Sequence, residues 1–280
     1  IGEAMGIKMS VRSPYFNAFF VPLTLVLMLL LVPGMFSNWK KQDGKALLYR
    51  LLWLAPVSIV LGTLLVVLSR GDMPFVGILA VIMVVYVVLA QISDWLQKAL
   101  AFRVGIFAGA RRLTRAYHGM VLGHIGLAVV VAGVTQVSFR EVERDVRMVP
   151  GDVVQVAGYD FTFVELVDHI GANFDAKRAI IRVTEADRAV TTLTPEKRNY
   201  RVSGQVMTEA ALHSNFSRDL YVALGEPIDE AAGAWAVRIY YKPGIGWLWA
   251  GALLLGGGGL LAASDRRYRS RSAENNDAIA

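Results

Sequence analysis

The sequence predicts an α-helical polytopic membrane protein of about five transmembrane helices, with an inserted β-rich domain built as a small barrel or sandwich. Three observations carry that prediction. Hydrophobic residues make up 55% of the 280, and mean hydropathy is +0.45, too apolar for an ordinary water-soluble domain. The apolar residues gather into runs of about 20, the length that crosses hydrocarbon as a helix. Between residues 137 and 243 the pattern changes to short β-branched and aromatic runs punctuated by turn residues.

The first region, residues 1–136, reads as membrane. Its polar lead carries Lys8 and Arg12, and a first span covers about 15–36 with Pro22 and Pro33 near its ends. A basic connector with Lys40, Lys41, Lys45 and Arg50 leads to a second span at about 51–69, interrupted by Pro56. Arg70, Gly71 and Asp72 make a tight turn into a third span at about 73–92. Residues 94–113 alternate Lys98, Arg103, Arg111 and Arg112 with Leu96, Leu100, Phe102, Ile106 and Phe107, the pattern of an amphipathic helix lying at the membrane surface. The fourth span is about 117–136. After the β-rich domain, residues 244–264 form the last span, with Trp247 and Trp249 at an interface, and residues 265–280 form a basic tail.

Charge placement gives orientation. The chain has 29 Lys and Arg against 23 Asp and Glu, a net charge of +6. These charges sit in short blocks beside apolar runs, as topology demands, and form no basic stripe interleaved with aromatics, so nucleic acid is not expected as a partner. The connectors around spans two and three, with tail residues Arg266, Arg267, Arg269 and Arg271, hold most of the short-loop positive charge. The tail therefore faces the cytoplasm, and residues 137–243 face the opposite side of the membrane. Cysteine is absent, which excludes disulfides, thiolate metal sites and a cysteine nucleophile. The chain starts at Ile1 with no charged leader and cleavage site, and reads as a piece of a longer polypeptide whose upstream part is missing.

Chemistry concentrates in the fourth span, YHGMVLGHIGLAVVVAGVTQ. His124 lies there among Gly119, Gly123 and Gly126. An ionisable side chain in hydrocarbon is costly and reads as functional, and small residues let a flat group or another backbone approach. Two readings stay open on residues alone: a histidine bonded to a neighbouring helix as structural glue, or one axial ligand to a haem whose second ligand lies on another helix. A proton relay fits less well, because the spans hold few other ionisable groups. His118 falls at the membrane boundary and reads as interfacial. His169 and His213, in the stretches DHIG and LHSN, read as loop residues outside any metal-binding spacing. Lys197, Arg198, Arg218 and Asp219 read as a solvated charged face. No generic catalytic signature occurs in the β-rich domain.

Several stretches are less generic: KMSVRSPYFNAFFVPL, HGMVLGHIGLAVVVAG, VERDVRMVPGD, PEKRNY, MTEAAL, SRDLYVALGE, WAVRIYYKP and DRRYR. In this order and spacing, over nearly all of residues 7–269, the chain resembles the C-terminal part of the CcmF family of cytochrome c-type biogenesis proteins. That resemblance implies a bacterial inner-membrane haem lyase, which takes haem as a transient substrate from a CcmE-type chaperone. CcmH-type partners present apocytochrome c, and thioether bonds form between haem vinyls and the thiols of its CxxCH motif. It also implies a haem b held in the membrane that reduces incoming haem iron, with quinol as the electron source. His124, in the GHIGLAV-like motif, corresponds to one axial ligand of that haem iron, flanked by Gly119, Gly123 and Gly126. The family's tryptophan-rich segment, two exterior histidines and other membrane histidine lie upstream of the matched region. The chain therefore supplies one ligand of four and is not expected to make holocytochrome alone. The alternative is a non-catalytic, membrane-anchored module that binds partner proteins.

Overall fold

The computed structural model describes residues 13–37, 43–69, 72–229 and 231–265. Lys8, Arg12, Lys40, Lys41, Arg70, Gly71 and the tail arginines 266, 267, 269 and 271 lie outside these residues. Two compact units emerge, one holding the described residues up to Ala132 and from Ala250 on, the other Gly133–Trp249.

The helical unit begins with α1 (Ser13–Phe36) and α2 (Gly44–Leu68), followed by α3 (Phe75–Leu100). Asp43 caps α2, its carboxylate accepting from the amides of Lys45 and Ala46. Pro22, Pro33 and Pro56 all sit inside helices that continue through them. Gly62 of α2 lies against Ile82 of α3, so that a Cβ there would stand 2.9 Å from the Ile82 Cα; the missing side chain is what lets these helices approach. Met28, Val32 and Phe36 of α1 pack with Tyr86, Val87 and Ala90 of α3 and with Ala128 and Val131 of the fourth span. The remaining faces are the reverse of a soluble protein: Leu23, Leu30, Leu52, Trp53, Val60, Val67, Leu253 and Leu260 are exposed. Among the described residues, five helices are long and apolar enough to cross a membrane, and an apolar exterior is what hydrocarbon solvates at least cost.

The surface helix expected over 94–113 does not form. The third helix runs on to Leu100, because ISDWLQKAL contains neither glycine nor proline to stop it. Arg103 and Gly105 then take positive φ values of 53° and 87°, which no helix tolerates, and only the short α4 (Ile106–Ala110) follows. α5 (Arg115–Arg140) starts with the Thr114 hydroxyl accepting from the Tyr117 amide at 3.2 Å. Asp265, just beyond α6 (Ile245–Ala263), accepts from the Ala116 amide at 2.9 Å, placing a carboxylate where the amides of a helix start are unpaired.

The second unit is a β-sandwich. Strands β1 (Val142–Met148), β2 (Val153–Val156), β3 (Tyr159–Ile170), β4 (Phe174–Glu185) and β5 (Arg188–Leu193) come first. They are followed by β6 (Glu196–Tyr200), β7 (Val206–Glu209), β8 (Ala211–Ser214), β9 (Arg218–Asp229) and β10 (Ala234–Pro243). One antiparallel sheet has the order β1-β10-β9-β8, the other β2-β3-β4-β6-β7 with β5 also on β4. Alternation dictates the core. β3 turns Tyr159, Phe161 and Phe163 inward, β9 turns Leu220, Val222 and Leu224, and β4 and β10 add Ile181, Val183, Val237 and Ile239. The stretch QVMTEAAL, a single uninterrupted run in the sequence, forms two strands: β7 and β8 belong to different sheets, and the chain changes sheet at Ala210. β1 follows α5, and β10 precedes α6 with Val142 opposite Tyr241. The strand that enters the sandwich is therefore hydrogen-bonded to the one that leaves it.

Candidate functional site

The site is built on α3, α5 and α6. On α3, Gln91 and Asp94 interrupt a run of aliphatic residues and share the face that buries Tyr86, Val87 and Ala90. Sequence reasoning ended the span at Ile92 and left both polar residues out of the site. The signal was present in their three-residue spacing within an apolar run, which puts both on one helix face.

His124 is the tenth residue of α5, about 14 Å along its axis from Arg115 at 1.5 Å per residue. Its Nδ1 lies 2.8 Å from Oε1 of Gln91, which has no exposed surface. An amide oxygen only accepts, so Nδ1 carries the proton and the neutral ring keeps its lone pair on Nε2. That nitrogen has no hydrogen-bond partner among the described residues.

Half-buried, His124 lines an open groove of about 470 Å³ between α5 and α6, with Gly119, Met120, Gly123, Leu127, Gly258 and Gly259 among the other lining residues. The volume lies within the range of about 300–1,000 Å³ usual for cofactor and ligand sites. The three glycines grouped with His124 in the sequence separate in function. A Cβ on Gly126 would stand 2.8 Å from the Leu255 amide nitrogen and 2.9 Å from the Gly251 carbonyl oxygen. One on Gly119 would stand 2.5 Å from the Gly258 carbonyl oxygen. These two let α6 close on α5. Gly126 does not line the groove, and the expectation that it flanks a bound group is corrected to helix packing. Gly123 has open space where its Cβ would be. Gly259, on the facing helix, has the same, and both line the groove. The run Gly256–Gly259 thus mixes one packed glycine, Gly258, with three unfilled positions.

A second polar cluster lies nearby on α3. The Asp94 carboxylate, 3% exposed, accepts from Lys98 Nζ at 2.7 Å and from the Tyr117 hydroxyl at 2.6 Å. Asp94 is therefore a buried residue within α3 rather than the start of a surface helix. His118 is committed elsewhere, its Nε2 3.0 Å from the Ala110 carbonyl.

In the sandwich, three expectations are corrected. His169 lies in β3 and His213 in β8, not in loops. Arg218 is 4% exposed rather than solvated: its guanidinium donates to the Tyr159 hydroxyl at 3.1 Å and lies 2.8 Å from His213 Nδ1. Arg198 is half-buried and pairs with a buried carboxylate. The Glu196 carboxylate, 3% exposed, accepts from Arg178 Nε at 2.5 Å and Arg198 Nε at 2.7 Å. Burial pushes the Glu196 carboxyl up, but the hydrogen bonds and charges of Arg198 and Arg178 outweigh it and hold the group below its ordinary value. Lys197 is half-buried, its side chain 15% exposed, and pairs with the exposed Glu226 at 2.6 Å.

Residues 139–243 match the family model described as the CcmF C-terminal beta-sandwich. The cytochrome c-type biogenesis protein CcmF of Pseudomonas aeruginosa is 44% identical over 269 residues, which is 94% of this chain and 39% of that protein. The Escherichia coli CcmF is 38% identical over 265 residues, again 94% of this chain and 39% of the relative. The chain belongs to the CcmF family.

It spans about two-fifths of the length of the CcmF relatives it matches. A solved structure titled "Cytochrome c Heme Lyase CcmF" has the same fold, with a TM-score of 0.69 at 18% identity, covering 90% of this chain and 40% of that one. Like the helices above, the CcmF relationship makes this a multi-pass membrane protein carrying a β-sandwich.

Proposed function

We propose that this chain acts in cytochrome c maturation as the C-terminal portion of a membrane haem lyase, with His124 as one axial ligand to a haem b. The observation that carries the reading is the state of one ring. Nδ1 of His124 is engaged by Gln91, Nε2 carries the free lone pair, and the residue lines an open groove. The residues present fit a flat macrocycle. Gly123 and Gly259 leave unfilled space at the groove, and the other lining residues are small or aliphatic apart from His124. In such a site His124 would bind through Nε2 and the glycines would admit the ring edge. The bound haem would supply one-electron chemistry, set by its axial ligands and the low polarity of the groove. The second axial histidine would come from the portion of the CcmF relatives that this chain does not span.

The reading also places the sandwich, residues 137–243, in the periplasm and the chain in the bacterial inner membrane with its tail in the cytoplasm. The lysine and arginine bias of the short connectors supports that orientation. Here the sandwich would contribute to covalent haem attachment by helping to seat apocytochrome c and the CcmE-type and CcmH-type proteins, while quinol would supply electrons from the lipid phase. Solvent-exposed apolar side chains on the sandwich, among them Ile170, Val202 and Leu212, support a partner-binding role. The same exposure favours a second reading, a partner-binding module without cofactor contact.

Reduced-minus-oxidised spectra of the full-length protein separate the two. His124→Ala is expected to abolish the b-type signal, and Gly259→Leu, which sends a side chain into the groove from a position with open space at its Cβ, to diminish it. An intact signal in His124→Ala would remove the ligand assignment and leave the partner-binding reading.

A further inference from the structure

Gln91 stands one residue behind the proposed ligand, and any role for it in iron binding rests on that reading of His124. A primary amide in the middle of an apolar helix is an expensive choice. Gln91 has no exposed surface, its Oε1 is bonded to His124, and its Nε2 is buried with no partner among the described residues. Leaving a buried donor without an acceptor is destabilising, and the space beside it is lined by Ile92, Trp95, Val121 and Ile125, none of which offers a side-chain acceptor. A leucine or methionine would fill the same volume at less cost. What the amide adds is one neutral acceptor on Nδ1 of His124.

We propose that Gln91 is a positioning residue for an iron-binding His124. By accepting from Nδ1–H it fixes the tautomer that presents Nε2, and it ties the ring plane to α3. Being uncharged, it accepts that proton without drawing it away, so the imidazole stays a neutral donor. A carboxylate at the same place would pull on the proton and make the ring more electron-donating. The identity of residue 91 therefore sets the potential of the bound iron as well as the ring's orientation.

The test uses the full-length, haem-loaded protein with Gln91→Glu and Gln91→Met, read by spectroelectrochemical midpoint potential and by the electron paramagnetic resonance of the ferric haem. Glutamate keeps an acceptor and adds charge; methionine keeps volume and removes the acceptor. The expected result is a lower potential in Gln91→Glu and a higher one in Gln91→Met, with altered low-spin g values in both. Haem loss in Gln91→Met that is restored in Gln91→Glu would also support the role, since glutamate keeps the acceptor that methionine lacks. Unchanged potentials, shifts in one direction, or haem loss in both variants would overturn it. His124→Ala is the control: if it keeps the b-type signal the ligand reading itself fails, whereas its loss beside silent Gln91 variants condemns only the proposal for Gln91.

Discussion

Four consecutive glycines in α6 offer a test in which neighbouring positions are expected to respond with opposite signs. A Cβ added to Gly258 would lie 2.7 Å from the Gly119 carbonyl oxygen and 2.8 Å from the Gly123 amide nitrogen. Both are helix backbone atoms that cannot swing aside. Ordinary contact between non-bonded atoms begins at about 3.5 Å, so α5 and α6 must part by roughly 0.8 Å or bend. Overpacking of this kind costs about 1–3 kcal/mol. Gly257 and Gly259 have open space at the same place, and alanine there should gain up to about 1 kcal/mol of helix propensity. Gly258→Ala is thus expected to be less stable than Gly257→Ala or Gly259→Ala by about 1–3 kcal/mol. Denaturation of the three purified proteins in one detergent, by heat or by titration with dodecyl sulfate, gives the ranking. Equal stability in all three, or Gly258→Ala at the top, would refute the claim that this glycine exists to close the two helices.

Other expectations concern the sandwich. Glu196 has a folded-state pKa below its ordinary value, so its contribution to stability is complete above that ordinary value and is lost as pH falls through the folded one. Hydrogen-exchange protection of β4 and β6, where Arg178 stands opposite Glu196, should therefore decline in the native protein as pH falls below the ordinary carboxyl value of about 4.3. Glu196→Gln, which weakens charged hydrogen bonds into neutral ones, should flatten that decline and cost about 1–3 kcal/mol at neutral pH; a variant with the native pH profile would contradict the assignment. Phe161 is fully buried between the sheets, and Phe161→Ala should cost about 3–5 kcal/mol, visible as faster exchange throughout the sandwich. Together with the spectra of His124→Ala and Gly259→Leu, these measurements address the core, the packing and the groove separately.

What the sequence determined by itself was the division of the chain into apolar helices and a β-rich insert. Hydrocarbon demands about 20 apolar residues in a row, and a half-buried strand demands alternation, and both are properties of neighbours along the chain. The motif around His124 was legible for the same reason, an imidazole among glycines being anomalous in any apolar run. Tertiary structure alone decided what each of those residues does. Gly119, Gly123 and Gly126 look alike in sequence, yet α6 occupies the Cβ space of two, while Gly123 has open space there beside the groove. Gln91 is 33 positions from His124, and no local pattern announces a hydrogen bond across that separation. Arg218 and Glu196 sit in polar stretches that read as surface, yet both are buried: β3 brings Tyr159 to Arg218 and β4 brings Arg178 to Glu196, beside His213 and Arg198 from close by in the chain. A buried charge is tolerated only where the fold supplies its partners, and partners arrive through strand register and helix contact rather than through sequence order.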